Sequence, residues 1–225
     1  MGFIQYGDLS NYIIAYCNLN GTNITNKKLQ KLMYYCQAWS LALDNERLID
    51  HEFEAWVHGA VLKNLYFKYA KFGYTNIWRD PAENLETKTE FLRKYSDEKV
   101  ARIHQVLEAY SMFSADELEE INHAEYPWQK TREGLAANEN SDRPITDSLM
   151  REYYGAKALE KGMKKVKNNV FNFSSARLKA AQKKLKEKEV FQVNEDNYKE
   201  YEAFILSSYN DTIEATKRSE YGQNL

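Results

Sequence analysis

The sequence predicts an all-α protein, with a compact helical domain over residues 5–155 and a two-helix C-terminal extension over residues 156–225. Hydrophobic residues make up 43% of the chain and aromatic residues 14%, which is enough to build a core. Nine glycines and three prolines are few turn formers for 225 residues, and this scarcity favours helices over a many-stranded sheet. Apolar residues also recur with a 3.6-residue spacing in several segments, as expected for amphipathic helices.

The first two helices are predicted from apolar stripes that each contain a cysteine. One stripe covers residues 9–17 and is followed by Gly21, which can end a helix in the left-handed conformation. The other covers residues 29–43. Because Cys17 and Cys36 lie on these stripes, we expect both thiols to be buried and unpaired, as is usual in a reducing compartment.

The second helix has a clear start, and the segment after it does not read as regular structure. Thr25 is a favourable N-cap, and Ile24 before it can pack on Leu29 as a hydrophobic staple. Residues 46–60 are predicted to be irregular, and an apolar stripe over residues 61–72 predicts a third helix. The remaining elements are expected in this order: a loop at 74–84, a weakly helical segment at 85–94, a helix capped by Ser96, a helix that starts in a capping box of Ser114 and Glu117 and ends at Pro127, and a helix capped by Thr146.

Charge is distributed unevenly along the chain. Basic residues exceed acidic ones by eight over residues 156–189, whereas acidic residues exceed basic ones by four over residues 190–225 and by six over residues 1–155. The extension is therefore predicted to contain a basic helix near 175–189 and an acidic amphipathic helix near 196–217. The formal net charge of −2 gives no overall attraction to nucleic acid or membranes.

The start of the chain lacks the basic residues and the apolar run of a secretory signal. No apolar stretch approaches the roughly 20 residues that a membrane span needs. We expect a soluble, cytoplasmic protein.

Metal sites and catalytic groups are not predicted from the sequence. Four histidines are present, none in a His-x3-His pair, and the two cysteines do not form a Cys-x2-Cys pair, so we expect no metal and no cofactor. Cys36 could in principle act with His58, but a thiol on an apolar stripe stays protonated and inert. We therefore assign no catalytic residues and do not expect an enzyme.

The basic extension offers an alternative function as a nucleic-acid-binding regulator. Lys183, Lys184 and Lys186 lie in its most basic part and could follow phosphates. Only Phe171 and Phe173 are available there for stacking on bases, and a lysine-rich helix is more often a solvated face.

The stretch FEAWVHGAVLKNLY, residues 53–66, places Trp56, His58 and Gly59 close together ahead of the third helix. A catalytic loop, a metal site, a packed corner and a partner-docking edge are all compatible with such a stretch. The residue types favour a structural corner, in which Trp56 fills a gap and Gly59 makes the turn.

Four segments, in order, resemble the Panacea domain of SocA-like antitoxins, which occurs in bacterial and phage toxin–antitoxin pairs. The segments are ITNKKLQKLMYYCQAWSLAL (24–43), FEAWVHGAVLKNLYFKYAKFG (53–73), HAEYPWQKTREG (123–134) and PITDSLMREYYG (144–155). The residues that match the family pattern are Leu29, Gln30, Lys31, Leu32, Tyr34, Ala55, Trp56, His58, Gly59, Val61, Pro127, Trp128, Ile145, Tyr153 and Tyr154. Ala60 stands where the family usually has proline, so the corner loses the fixed φ of that residue.

The resemblance implies a helical domain without known catalysis that neutralises a cognate toxin protein, either by direct contact or by delivering it to a protease. Interfaces are often anchored by tryptophan, tyrosine and arginine. The resulting candidates for partner binding are Lys31, Tyr34, Trp56, His58 and Trp128. Trp56 and Gly59 are also predicted to form the structural corner.

Overall fold

The computed structural model describes residues 2–160, and over these residues the prediction of a mainly helical fold is confirmed. The eight helices of this part are α1 (Tyr6–Leu19), α2 (Asn26–Leu43), α3 (Lys63–Tyr69), α4 (Pro81–Lys94), α5 (Asp97–Tyr110), α6 (Ala115–His123), α7 (Tyr126–Thr131) and α8 (Asp147–Glu160). Its three strands are β1 (Phe53–Trp56), β2 (Gly59–Val61) and β3 (Pro144–Ile145). The predicted helices near 175–189 and 196–217, with Lys183, Lys184 and Lys186, lie outside the described residues.

Helix α2 runs through the middle of the core. It contacts α1, α3, α5, α6, α8 and β2, so nearly all of its side chains are buried, including the polar Gln30, Lys31 and Gln37. A helix that is surrounded on all sides cannot leave these polar groups to water, so each needs a partner inside the protein. Gln37 shows how this is met, because its side-chain oxygen accepts from the backbone amides of Leu48 and Ile49 at 2.9 and 3.0 Å.

Two predicted helix starts are confirmed with their capping hydrogen bonds. The Thr25 hydroxyl accepts from the Lys28 amide at 3.3 Å at the start of α2. At the start of α6, the Glu117 amide donates to the Ser114 hydroxyl at 3.2 Å, and the Glu117 carboxylate accepts from the Ser114 amide at 2.7 Å. This reciprocal pair is the predicted capping box.

The starts of α5 and α8 are also found where they were predicted. Ser96 is the N-cap residue of α5, but its hydroxyl makes no capping hydrogen bond. Thr146 precedes α8, and its hydroxyl accepts from the Leu149 amide at 3.4 Å.

The prediction that residues 46–60 are irregular is wrong for their second half. Strands β1 and β2 form an antiparallel hairpin there, with Trp56 opposite Gly59, and β1 also pairs with β3 through Phe53 and Ile145. The three strands are too short to show a two-residue alternation in the sequence, and one pairing partner lies about ninety residues away. Because Val61 belongs to β2, helix α3 begins at Lys63 instead of residue 61.

Two prolines begin helices where the sequence predicted a loop or a helix end. Pro81 lies in the first turn of α4, which is capped by Asp80, so the loop predicted at 74–84 ends at residue 80 and the weakly helical 85–94 belongs to this one helix. Pro127 lies in the first turn of α7, and α6 has already ended at His123. Proline fits the first turn because the amide that it lacks has no helical acceptor there.

Both cysteines are buried and free, as predicted. Burial raises the pKa of the Cys17 and Cys36 thiols. Among residues 2–160, histidines, cysteines and carboxylates form no group of three or more that could hold a metal ion. No helix within that range is long and apolar enough to cross a membrane.

Candidate partner-binding site at the β-hairpin

The hairpin turns at Val57 and His58 and closes on a glycine that cannot be replaced without strain. Gly59 has a φ of +91°, a conformation that side chains with a Cβ rarely adopt. A Cβ at this position would lie 2.6 Å from Asn122 Oδ1 and 2.6 Å from Lys31 Nζ. Backbone conformation and available space therefore both require glycine here.

Lys31 lies on the inner side of this turn with no exposed surface. Its ammonium group donates to the carbonyl oxygens of His58 at 2.5 Å and Ala60 at 3.1 Å. Burial lowers the pKa of Lys31 to about 7, and the nearby Glu119 carboxylate acts in the opposite direction. Lys31 thus ties the core helix α2 to the backbone of the hairpin.

The free edge of β2 is closed by side chains instead of another strand. The Ala60 amide donates to Asn122 Oδ1 at 2.7 Å, and its carbonyl accepts from Lys31. Immediately after the strand, the Leu62 amide donates to Gln30 Oε1 at 2.8 Å. Backbone groups that an edge strand would leave open are therefore satisfied by α2 and α6.

Helix α7 holds the other strand of the hairpin. The Trp128 indole N–H donates to the Trp56 carbonyl at 2.9 Å, and Arg132 donates to the Ala55 carbonyl at 2.9 Å. The Arg132 guanidinium also lies 5.2 Å from the centre of the Trp128 ring. The half-buried Trp128 therefore uses its polar atom inside the protein, while its ring stacks on His123 at 4.1 Å.

Exposed aromatic rings of α3 and of the segment after it lie beside Trp56 of the hairpin, and we call this region the outer side of the hairpin. The half-buried Trp56 donates its indole N–H to the Glu54 carboxylate at 2.6 Å, and its ring centre lies 5.1 Å from that of Tyr66. The Tyr66 ring contacts Phe67, which is 62% exposed, and Tyr74 is 93% exposed. Trp56, Tyr66 and Tyr74 line a groove of about 250 Å³. We call these four residues, Trp56, Tyr66, Phe67 and Tyr74, the aromatic face.

His58 stands at the rim of the same groove. Its side chain is 74% exposed, and Nδ1 lies 2.8 Å from a carboxylate oxygen of Glu119. Burial would raise the pKa of Glu119, but hydrogen bonds with Lys27 and His58 offset this effect and leave the pKa lowered. The His58 ring is thereby oriented by α6 while most of it stays accessible.

Residues 29–129 match the family described as antitoxin SocA-like, Panacea domain. This part of the chain is similar to the Panacea domain of SocA-like antitoxins. No curated protein and no solved structure matches this chain. The matched range contains most of α2, the β-hairpin and Trp128, and it is shorter than the range 24–155 that the four resembling segments span.

The five candidate residues for partner binding do not share one surface. Lys31 and Tyr34 have no exposed area, so their assignment to a partner surface does not fit the fold. Tyr34 packs in the core against Phe53, with ring centres 5.5 Å apart. Both residues were named because they match the family pattern, but the helix that carries them is buried on all sides. Trp56, His58 and Trp128 reach the surface at least in part, and their role in binding stays a prediction.

A buried carboxylate that the sequence did not reveal joins three helices of the fold. Glu125 is 2% exposed and accepts hydrogen bonds from the hydroxyls of Tyr35 at 3.2 Å and Tyr154 at 2.5 Å. Its second oxygen accepts from Lys157 at 2.9 Å. Burial, together with the Glu125 charge and neighbouring tyrosines, raises the pKa of Tyr35 and Tyr154. Glu125 thereby joins α2, the start of α7 and α8.

The aromatic face was also missed, since Tyr66 belonged to the apolar stripe that predicted the third helix. In the structure α3 buries Leu65 and Tyr69 and exposes Tyr66 and Phe67. The sequence held this signal only for Phe67, which lies roughly opposite Leu65 and Tyr69 on the helix, whereas Tyr66 lies three residues before Tyr69 and borders the buried face.

Proposed function

We propose that this protein is an antitoxin that neutralises its toxin by forming a direct complex, and that the aromatic face together with His58 is the contact surface. The Panacea domain gives an antitoxin-type role, with a toxin as the general class of partner. We propose further that the protein acts as a stoichiometric binder and not by turnover.

The proposal rests mainly on one observation: the aromatic face lies against a hairpin whose backbone is held by α2, α6 and α7. Lys31, Asn122 and Trp128 fix the inner side of the hairpin, so the ring of Trp56 is held in place beside Tyr66 before a partner arrives. Exposed aromatic side chains around a groove are typical anchors of protein interfaces. A preorganised surface also loses less conformational entropy when it binds.

The test is a titration of the full chain against a fixed amount of the purified toxic protein that is encoded beside it. Toxic activity should fall in proportion to added protein and vanish at a fixed molar ratio, and the complex should survive size-exclusion chromatography. Loss of activity at a small fraction of an equivalent, without a protease, would contradict a stoichiometric mechanism. Neutralisation that requires an added protease would support the alternative of an adaptor.

A pair of matched variants locates the surface. Phe67→Ser combined with Tyr74→Ser changes two rings of the aromatic face and should weaken the complex by tenfold or more, by about the 1.4 kcal/mol that corresponds to such a factor. Met112→Ser combined with Phe113→Ser changes two exposed apolar residues after α5, outside the aromatic face, and should leave binding within about twofold. Equal effects of the two pairs would exclude the aromatic face as the contact surface.

A further inference from the structure

The chain around the aromatic face has an unusual charge. Residues 55–79 contain Lys63, Lys68, Lys71 and Arg79 and no acidic residue. The first 155 residues as a whole have an excess of six acidic residues. A positive segment therefore lies within an acidic part of the protein.

Three of these four basic side chains are not neutralised by the fold. Lys63, Lys68 and Lys71 are exposed, and within the described part of the chain none of them comes within 4 Å of a carboxylate. Arg79 differs, because it lies 3.7 Å from Glu83 and donates to Asn11 at 2.9 Å. Only the lysines are thus available to another molecule.

Two of the lysines flank the aromatic face. Lys63 lies on the exposed side of α3, three and four positions before Tyr66 and Phe67, and with Trp56 it lines the neighbouring depression in the surface. Lys71 lies in sequence between Phe67 and Tyr74, next to Ala70 of the groove lining, and its ammonium group lies 5.3 Å from the centre of the Phe72 ring. Lys68 differs from these two, because it lies close enough to Asp8 to lower the pKa of that carboxyl.

We infer that the toxin binds the aromatic face through an acidic surface, with carboxylates against Lys63 and Lys71 and apolar groups in the groove. This inference rests on the proposed function. Unpaired lysines beside exposed rings match a partner that supplies both charge and apolar contact, and such complementarity acts mainly on the association rate and on the rejection of wrong partners.

A protein partner fits this surface better than a nucleic acid. The carboxylates of Glu54 and Asp142 line the same depression as Lys63, and a continuous row of phosphates would meet them. The surrounding acidic residues would also repel a polyanion at low salt. A protein surface can place its carboxylates at the two lysines and avoid the two acids.

The experiment measures association and dissociation rates of the full chain with the purified toxin at low and high salt. Lys63→Glu combined with Lys71→Glu should lower the association rate constant about tenfold at low salt, and the difference should shrink at high salt because of screening. The matched control is Arg93→Glu combined with Arg151→Glu, which makes the same change in net charge at exposed sites on α4 and α8. We expect the control to change the association rate less than about twofold.

Each other result overturns the inference in a recognisable way. If the lysine pair and the arginine control pair lower the association rate equally, net charge alone explains the effect. If Lys63→Glu combined with Lys71→Glu binds faster than the unmodified chain, the partner surface is basic. Retention of a labelled single-stranded RNA that is lost in the same variant would make this a nucleic-acid surface. Absence of any complex between toxin and the unmodified chain would overturn the proposed function itself, whereas a complex that forms independently of salt overturns only the acidic partner.

Discussion

The inner and outer sides of the β-hairpin are built mostly by different residues and differ in what their side chains contact. On the inner side Lys31, Asn122 and Trp128 complete the hydrogen bonds of the strand backbones. On the outer side Tyr74 and Phe67 are mainly exposed. In the sequence both sides belong to one motif, but in the structure they serve two roles. Substitutions on the inner side should lower stability, and substitutions on the outer side should weaken binding.

The largest loss of stability is expected from Gly59→Ala on the inner side. The new Cβ would have an unfavourable φ and would overlap Lys31 and Asn122, so the free energy of unfolding should fall by about 3 kcal/mol. Urea unfolding of both proteins measures this difference. Gly21→Ala is the matched control, since Gly21 also has a positive φ of +66° but has no neighbour within 4 Å. A similar loss in both variants would mean that backbone strain, not the closed inner side, sets the requirement.

The next largest effect is a pH dependence of the free energy of unfolding, which comes from the buried charge of Lys31. Its folded-state pKa of about 7 lies below the ordinary value of 10.5, so between these pH values the unfolded chain binds more protons than the folded protein. The free energy of unfolding should therefore rise with pH across this window, by about 1 kcal/mol per pH unit from this group.

Lys31→Met isolates that contribution, because methionine keeps much of the side-chain length and does not titrate. The difference in unfolding free energy between the unmodified chain and the variant should change in favour of the unmodified chain from pH 7 to pH 9. Glu119 and Lys27, which act on Lys31 in opposite directions, remain in both proteins. A difference that stays constant over this range would show that Lys31 is not a titrating buried group.

A smaller loss of stability is expected at Trp56, which contributes to both the inner and the outer side of the hairpin. Its carbonyl is held by Trp128, while its ring is half-buried beside Tyr66. Trp56→Ala should lower the unfolding free energy by about 1–2 kcal/mol, which is less than the 3–5 kcal/mol typical of a fully buried tryptophan. Thermal or urea unfolding tests this value, and a loss in the range of a buried ring would place Trp56 wholly in the core.

The smallest effect on stability is expected on the outer side. Phe67→Ser combined with Tyr74→Ser should change the unfolding free energy by no more than about 0.5 kcal/mol for each residue, as is usual at exposed positions. The same variant is the one expected to weaken the complex. A large drop in its unfolding free energy would remove the distinction between the two sides.

The helices could be predicted from the sequence because their signals are local. Thr25, Ser114 and Thr146 lie within a few residues of the amides that they cap, and the apolar stripes repeat within single helices. The hairpin could not be found this way, since Phe53 pairs with Ile145 across a large part of the chain and neither strand has length enough to show its period.

The candidate site was predicted only in part, because its key contacts join residues that are far apart in the sequence. Lys31 was assigned to a partner surface through its match to the family pattern, but the carbonyls that keep it inside belong to His58 and Ala60, on another element. Glu125 gives no sign in the sequence that Tyr35 and Tyr154 will surround it. Pairings between distant residues decide both positions.

The pairing of β1 with β3 has a consequence for truncation of the chain. The matched family range ends at residue 129, before β3 and α8. A fragment cut there would lose Tyr154 and Lys157 and leave the Glu125 carboxylate buried without its cation, which is strongly destabilising. It would also uncover the edge of β1, where the Ala55 amide now donates to the Arg143 carbonyl at 2.9 Å. An open strand edge is a template for pairing with another chain, so the fragment should aggregate, and the smallest piece able to fold by itself must extend through α8.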